Sequence, residues 1–216
     1  MAGSLSDFCT RMQNYCWDES HGYSPMTDGT DHMGHPNFDC SGLVGRCLYE
    51  AGYNYPSTHV GTAFMKPDLI TAGFQIIPVT SVSQVPQSGD IVVMNHYPIG
   101  NGGHTFLFME NILAYTDPNA DSANTGIVNK AKVEASSKRG RPDTEAGDTK
   151  KNNTGAYWQV WCHAYAPGSL YGNYDPTNPN DEIYIARDPN GLNGAKVAAF
   201  IAMRSMPHYR MRGRRR

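Results

Sequence analysis

The stretch Asn37-Phe38-Asp39-Cys40-Ser41-Gly42-Leu43-Val44-Gly45-Arg46-Cys47-Leu48-Tyr49-Glu50-Ala51-Gly52 decides how the rest of the chain is read. Asp39 is a good helix N-cap, and Leu43, Val44, Cys47, Leu48 and Ala51 recur at helical spacing until Gly52-Tyr53-Asn54-Tyr55-Pro56 stops the pattern. Cys40 therefore falls in the first turn of a buried helix. Unpaired backbone N–H groups and the positive end of the helix dipole favour a thiolate there, which makes a usable nucleophile near neutral pH. Such a thiolate works with a base beside it. Gly102-Gly103-His104-Thr105-Phe106-Leu107-Phe108-Met109 offers one, a histidine opening an apolar strand after a glycine-rich turn. A cysteine at a helix start and a histidine at a strand start form a nucleophile–base pair.

The whole chain bounds what that pair can belong to. With 216 residues, 39% of them hydrophobic, there is enough apolar surface for one sizeable core, and two full domains would be crowded. Net charge is −2, so no basic field points to nucleic acid as a partner. The 22 glycines, 14 prolines and 13 tyrosines predict many turns and a loop-rich surface carrying aromatic side chains, suited to extended polar ligands. No run of about 18 apolar residues is present, and Met1-Ala2-Gly3-Ser4-Leu5-Ser6-Asp7 lacks the regions of a signal peptide. A chain made in the cytoplasm, with no membrane segment, is the expectation.

Five cysteines leave at least one thiol unpaired, which argues against a disulfide framework. Cys9, Cys16, Cys47 and Cys162 read as small buried hydrophobes. Only Cys40 sits where a helix start would activate it.

Taken in order, Leu5, Phe8, Cys9, Met12, Tyr15 and Cys16 predict an amphipathic helix over residues 4–17. Residues 18–37 read as an irregular loop. Two histidines in it, His32 and His35, have no completing ligand motif elsewhere, so neither a metal nor another cofactor is expected. Residues 66–73 predict a short helix ending at Gly73, and 75–79, 91–94 and 104–109 predict strands. The polar stretch 112–129 reads as an inserted loop, 131–136 as a strand and 137–155 as a long exposed loop. A closing strand is expected over 157–165, then an excursion to about residue 194. Residues 195–203 read as a helix or strand, and Arg204, Arg210, Arg212 and Arg214-Arg215-Arg216 as a solvated basic terminus or a contact for an anionic polymer. This divides the chain into a domain over 1–165 that carries the cysteine and histidine and an extension over 166–216, packed on the same domain.

Three pieces in this order resemble the papain-like cell-wall hydrolases of the NlpC and CHAP families, bacteriophage endolysins above all. They are Phe38-Asp39-Cys40-Ser41-Gly42-Leu43-Val44, Gly89-Asp90-Ile91-Val92 and Gly102-Gly103-His104-Thr105. Tyr23-Ser24 also looks like the tyrosine loop of the phage enzymes. The resemblance implies an α+β fold of papain-like type, with the nucleophile helix packed on a central antiparallel sheet. It further implies cleavage of an amide bond in the peptide part of peptidoglycan without a metal, by an N-acetylmuramoyl-L-alanine amidase or a peptide endopeptidase. Bacterial peptidoglycan would be the partner, and the enzyme a monomeric free lysin or a virion component. Carried over residue by residue, Cys40 is the nucleophile, His104 the general base that becomes the acid, and Tyr23, Asp39 and Ser41 hold the stem peptide. Asp39 also has a plain role as a helix cap.

The third member of the site departs from the family pattern, in which a polar residue on the next strand orients the histidine. Glu110 and Asn111 lie at the far end of the histidine strand, roughly 20 Å away at about 3.3 Å per residue. Glu134 sits on the following strand; were that strand antiparallel, its carboxylate could stand beside His104. Two readings compete with the peptidoglycan hydrolase: a catalytically silent wall-binding or virion structural protein of the same fold, and a cysteine hydrolase of another amide. A binding module has no need of a nucleophile–base pair, which favours an enzyme.

Overall fold

In the computed structural model, residues 3–17, 38–58, 60–96, 102–116, 125–136, 159–164 and 170–192 are described. Helix α1, Leu5–Trp17, buries Leu5, Phe8, Cys9 and Met12 along one face, as the three- and four-residue spacing predicts. Helix α2, Cys40–Glu50, buries Leu43, Val44, Cys47 and Leu48. Its first turn is closed by Asp39, whose carboxylate accepts from Gly42 N at 2.5 Å while its carbonyl accepts from Leu43 N at 3.0 Å. A cap of this kind contributes about 1 kcal/mol. Gly52, at φ 82°, ends the helix by turning the chain back. A short 3-10 turn, Thr62–Phe64, leads into α3, Met65–Thr71.

The remaining elements form one eight-stranded sheet. In chain order they are β1 Gln75–Pro78, β2 Ile91–His96, β3 Gly103–Met109, β4 Ile112–Tyr115, β5 Thr125–Val128, β6 Ala131–Ser136, β7 Gln159–Ala164 and β8 Asp181–Arg187. Their spatial order is β1-β8-β2-β3-β6-β7-β4-β5. Every pairing is antiparallel except a parallel contact of Tyr115 with His163. The class is thus α+β, with few helices on a mostly antiparallel sheet.

Alternation along the strands separates two cores. Ile91, Val93, Leu107, Met109, Val133, Ala135, Tyr184 and Ala186 join α1 and α2 in one cluster. Val92, Met94, Phe106, Phe108, Ile183 and Ile185 form another, covered by Leu170 and Tyr171. A sheet covered on both faces explains why its inner strands read as continuous apolar runs.

Two expectations are corrected here. Residues 112–129 are not simply a loop: β4 and β5 pair from Ile112↔Val128 to Tyr115↔Thr125. The excursion after Pro167 contains an inner strand, β8, inserted between β1 and β2 with Ile91 opposite Ala186 and Gln75 opposite Arg187. The extension is therefore built into the sheet. Its end also supplies partners for buried groups of the preceding chain. Arg187 donates to both oxygens of Asp90, Nε to Oδ1 at 2.9 Å and Nη2 to Oδ2 at 2.7 Å, and Tyr53 Oη donates to Asp188 Oδ2 at 2.6 Å. The expectation of a helix or strand over 195–203 lies outside the described residues.

Candidate active site

Cys40 occupies the first position of α2, and the start of β3 brings His104 to that helix end. The Cys40 thiol stands near enough to the His104 ring to push its titration up. On its other side, His104 Nε2 lies 2.7 Å from Glu134 Oε2, which leaves Nδ1 as the ring nitrogen for the thiol. Strand register explains the carboxylate's position. With Leu107 opposite Val133 and Phe108 opposite Lys132, continuing the antiparallel ladder sets Glu134 across from Phe106 and one diagonal step from His104. Diagonal neighbours on one sheet face stand about 7 Å apart at the backbone, within reach of a glutamate.

The three groups differ in exposure in a way that suits their chemistry. The Glu134 side chain is 5% exposed and that of His104 24%, so the carboxylate is enclosed and the imidazole is open on one side. Burial opposes charge on His104, but the carboxylate of Glu134 and the sulfur of Cys40 outweigh it and raise the imidazolium to about 10. A histidine so held is charged at neutral pH and stands as a proton donor beside a sulfur nucleophile.

Cys9 and Cys47, fully buried in the helix core, have thiols pushed well up by desolvation, as inert core cysteines should. The side chains of Cys16 and Cys162 lie outside the described residues. Among the described cysteines, only Cys40 meets a histidine.

Gly103 makes this geometry possible. A Cβ there would stand 2.0 Å from Thr62 Oγ1 and 2.9 Å from Asn95 Oδ1, so the strand start is pressed directly against the Thr62 turn. Asn95 Nδ2 in turn donates to Thr62 O at 3.4 Å.

Comparison with family models, curated proteins and solved structures finds no match.

Cys40, His104 and Glu134, the three residues that the sequence reading named for the site, lie together in the structure. Asp39 and Ser41 adjoin them, both buried, with Ser41 Oγ donating to Asp39 Oδ1 at 3.1 Å, so these polar atoms serve the helix cap. Tyr23, His32 and His35 lie outside the described residues. No group of three or more His, Cys, Asp or Glu side chains is arranged to hold a metal ion among the described residues.

Sequence reading missed a second polar cluster beside the first. His96, at the end of β2, pairs through Nδ1 with Asp181 Oδ1 on β8 and stacks on the ring of Tyr174, centroids 4.2 Å apart and planes 17° from parallel. Burial, then the neighbouring Cys40 and Asp181, push the Tyr174 hydroxyl up from its ordinary value. On β6, buried Lys132 sets its Nζ 4.6 Å above the Phe106 ring. The overlooked signal was Ile183-Tyr184-Ile185-Ala186, a β-branched and aromatic run that marks β8 as a strand; its pairing with β2 then sets Asp181 opposite His96.

Proposed function

We propose that the chain is a cysteine hydrolase of papain-like type that cleaves an amide bond in the peptide part of bacterial peptidoglycan, as a phage lysin or virion-associated enzyme. One observation carries the reading: a thiol at a helix start, a histidine opening a strand and a buried carboxylate on the next strand, joined in that order. Core packing does not require such a chain of groups, whereas thiol-dependent amide hydrolysis uses each of them.

In this reading the Cys40 thiolate attacks the carbonyl carbon while the imidazolium of His104 stands ready with a proton. The C–N bond breaks as His104 transfers that proton to the departing amine nitrogen, and the acyl group stays on sulfur as a thioester. His104, now neutral, takes a proton from water as the water oxygen attacks the thioester. Thiolate and carboxylic acid are released, with the imidazolium restored. Glu134 holds Nε2–H throughout, which sets the ring orientation and stabilises its charge. The N-terminus of α2 lies where negative charge develops on the carbonyl oxygen, a favourable electrostatic setting.

The peptidoglycan assignment rests on the Asp-Cys-Ser, Gly-Asp and Gly-His pieces described above. Its test is the turbidity of purified bacterial cell walls with and without iodoacetamide, followed by mass spectrometry of the released fragments. Iodoacetamide-sensitive clearing with new free amino groups supports the hydrolase, and the fragment masses distinguish amidase from endopeptidase. Binding to walls without release of fragments would instead identify a silent wall-binding protein, and release of neither kind would direct the search to other amides.

A further inference from the structure

The cluster formed by Tyr174, His96 and Asp181 shares a sheet face with His104 and Glu134. Met94 pairs directly with His104 across β2 and β3, and His96 lies two residues farther along β2, hence on the same face and one diagonal step from the histidine. Asp181 is directly opposite His96 on the other side, in β8. Two histidine–carboxylate pairs, His104–Glu134 and His96–Asp181, thus stand side by side.

The segment bearing Tyr174 is well tied. Leu170 and Tyr171 are buried in the second core, and Tyr174 N donates to Tyr171 O at 3.1 Å. Asp181, its side chain 1% exposed, uses Oδ1 for His96 and Oδ2 to accept from Asp175 N at 2.8 Å, so one carboxylate holds both the histidine and the residue next to Tyr174. Asp175 Oδ1 then accepts from Thr177 N and Thr177 Oγ1, both at 2.8 Å. Stacking on His96 orients the phenol ring itself. Among the described residues, no hydrogen-bond partner meets the Tyr174 hydroxyl. A phenol with its ring held and its O–H unspent, half-buried on the sheet face that carries His104, is arranged to act on something that binds there.

We infer that Tyr174 contacts the substrate, its hydroxyl donating a hydrogen bond to the carbonyl oxygen of the scissile amide as that oxygen gains negative charge, with His96 and Asp181 as the residues that position it. This rests on the cysteine-hydrolase reading and adds to it a transition-state donor from the C-terminal part of the chain. Burial first, and then Cys40 and Asp181, push the Tyr174 hydroxyl up, which favours the protonated phenol that a donor must be.

The test is steady-state kinetics on a purified stem-peptide fragment of peptidoglycan with Tyr174→Phe, His96→Gln, the double variant and Cys40→Ala. Tyr174→Phe retains the stacked ring and removes only the O–H. It should lower kcat on the order of tenfold to a hundredfold with little change in KM, because the bond strengthens only in the transition state. His96→Gln should lower kcat less, and the double variant should fall no further than Tyr174→Phe alone, since both act through one bond. Thermal unfolding of each variant checks that the fold is kept. Unchanged kcat in Tyr174→Phe, with Cys40→Ala inactive, overturns the role of Tyr174 and leaves the hydrolase standing. Unchanged kcat in His96→Gln overturns the positioning role, and activity in Cys40→Ala overturns the hydrolase reading and this inference together.

Discussion

His104 Nε2 and Glu134 Oε2 stand 2.7 Å apart, joining the second residue of one strand to the middle of its antiparallel neighbour. This contact, with the sulfur of Cys40, raises the His104 imidazolium from 6.5 to about 10. Activity that depends on the protonated ring should therefore persist through neutral pH and fall as pH passes about 10. Glu134→Gln should move that alkaline limb down toward 6.5 and lower turnover, and Glu134→Ala should lower it further. A kcat/KM profile against pH measures both effects. An alkaline limb unmoved in Glu134→Gln would remove Glu134 from the site and leave a Cys–His dyad.

The same shift links His104 to stability. Because the folded value lies above the unfolded one, the stabilisation is fully present below pH 6.5 and is lost as pH rises through about 10. Thermal unfolding between those limits should show Tm declining for the parent protein and declining less for Glu134→Gln.

Cys40→Ala should reduce wall hydrolysis on the order of ten-thousandfold or more, as loss of a nucleophile does, while leaving Tm close to the parent value. Cys9→Ala and Cys47→Ala should instead retain the chemistry and lose stability, by roughly 1 kcal/mol or more, because they open space in a closed core. Iodoacetamide labelling of each variant, read by peptide mass, identifies Cys40 as the reactive thiol if only its loss abolishes rapid modification.

Gly103→Ala should be far more damaging than an added methyl group suggests. Its Cβ would stand 2.0 Å from Thr62 Oγ1, forcing the Thr62 turn off the sheet and His104 away from Cys40. Strain of this kind costs about 1–3 kcal/mol. The variant should show a lowered Tm together with slowed alkylation of Cys40; parent-like values of both would show that the turn yields without moving the histidine.

Arg187→Ala should destabilise by about 3 kcal/mol, since it leaves the Asp90 carboxylate buried without its bidentate partner. A chain ending at residue 165 should go further and fail to fold, because β1 and β2 are both paired through β8. Circular dichroism and denaturant titration measure both, and a cooperatively folded 1–165 fragment would show that β8 is dispensable.

The helices and the site were legible because their signals are local. Asp39 followed by Leu43, Val44, Cys47 and Leu48 specifies both the helix and where it begins, and a histidine after paired glycines marks a strand start. Glu134 was within reach because it lies on the strand candidate that follows the histidine strand, and an antiparallel pairing of the two, across the intervening β4–β5 stretch, puts a carboxylate on the histidine's face. The β4–β5 pair was less visible: polar Asn, Asp and Pro residues between Tyr115 and Thr125 mask two four-residue strands. The place of β8 was not legible at all. Its strand character lies in Ile183-Tyr184-Ile185-Ala186, but nothing local tells a strand which distant pair of strands it will separate. The Tyr174–His96–Asp181 cluster exists only through that long-range insertion, so no spacing in the chain announces it.

The insertion of β8 also orders events in time. β2 and β3 are joined by a short connection and can meet as soon as both are made, whereas β2 cannot gain its second neighbour until residues 181–187 have left the ribosome. Until then β1 has no partner among the described strands, Asp90 lacks Arg187, and the edge of β2 is open to other chains. Closure across so long a separation is intrinsically slow. Cys40, His104 and Glu134 are thus all synthesised well before the strand that completes the sheet around β2.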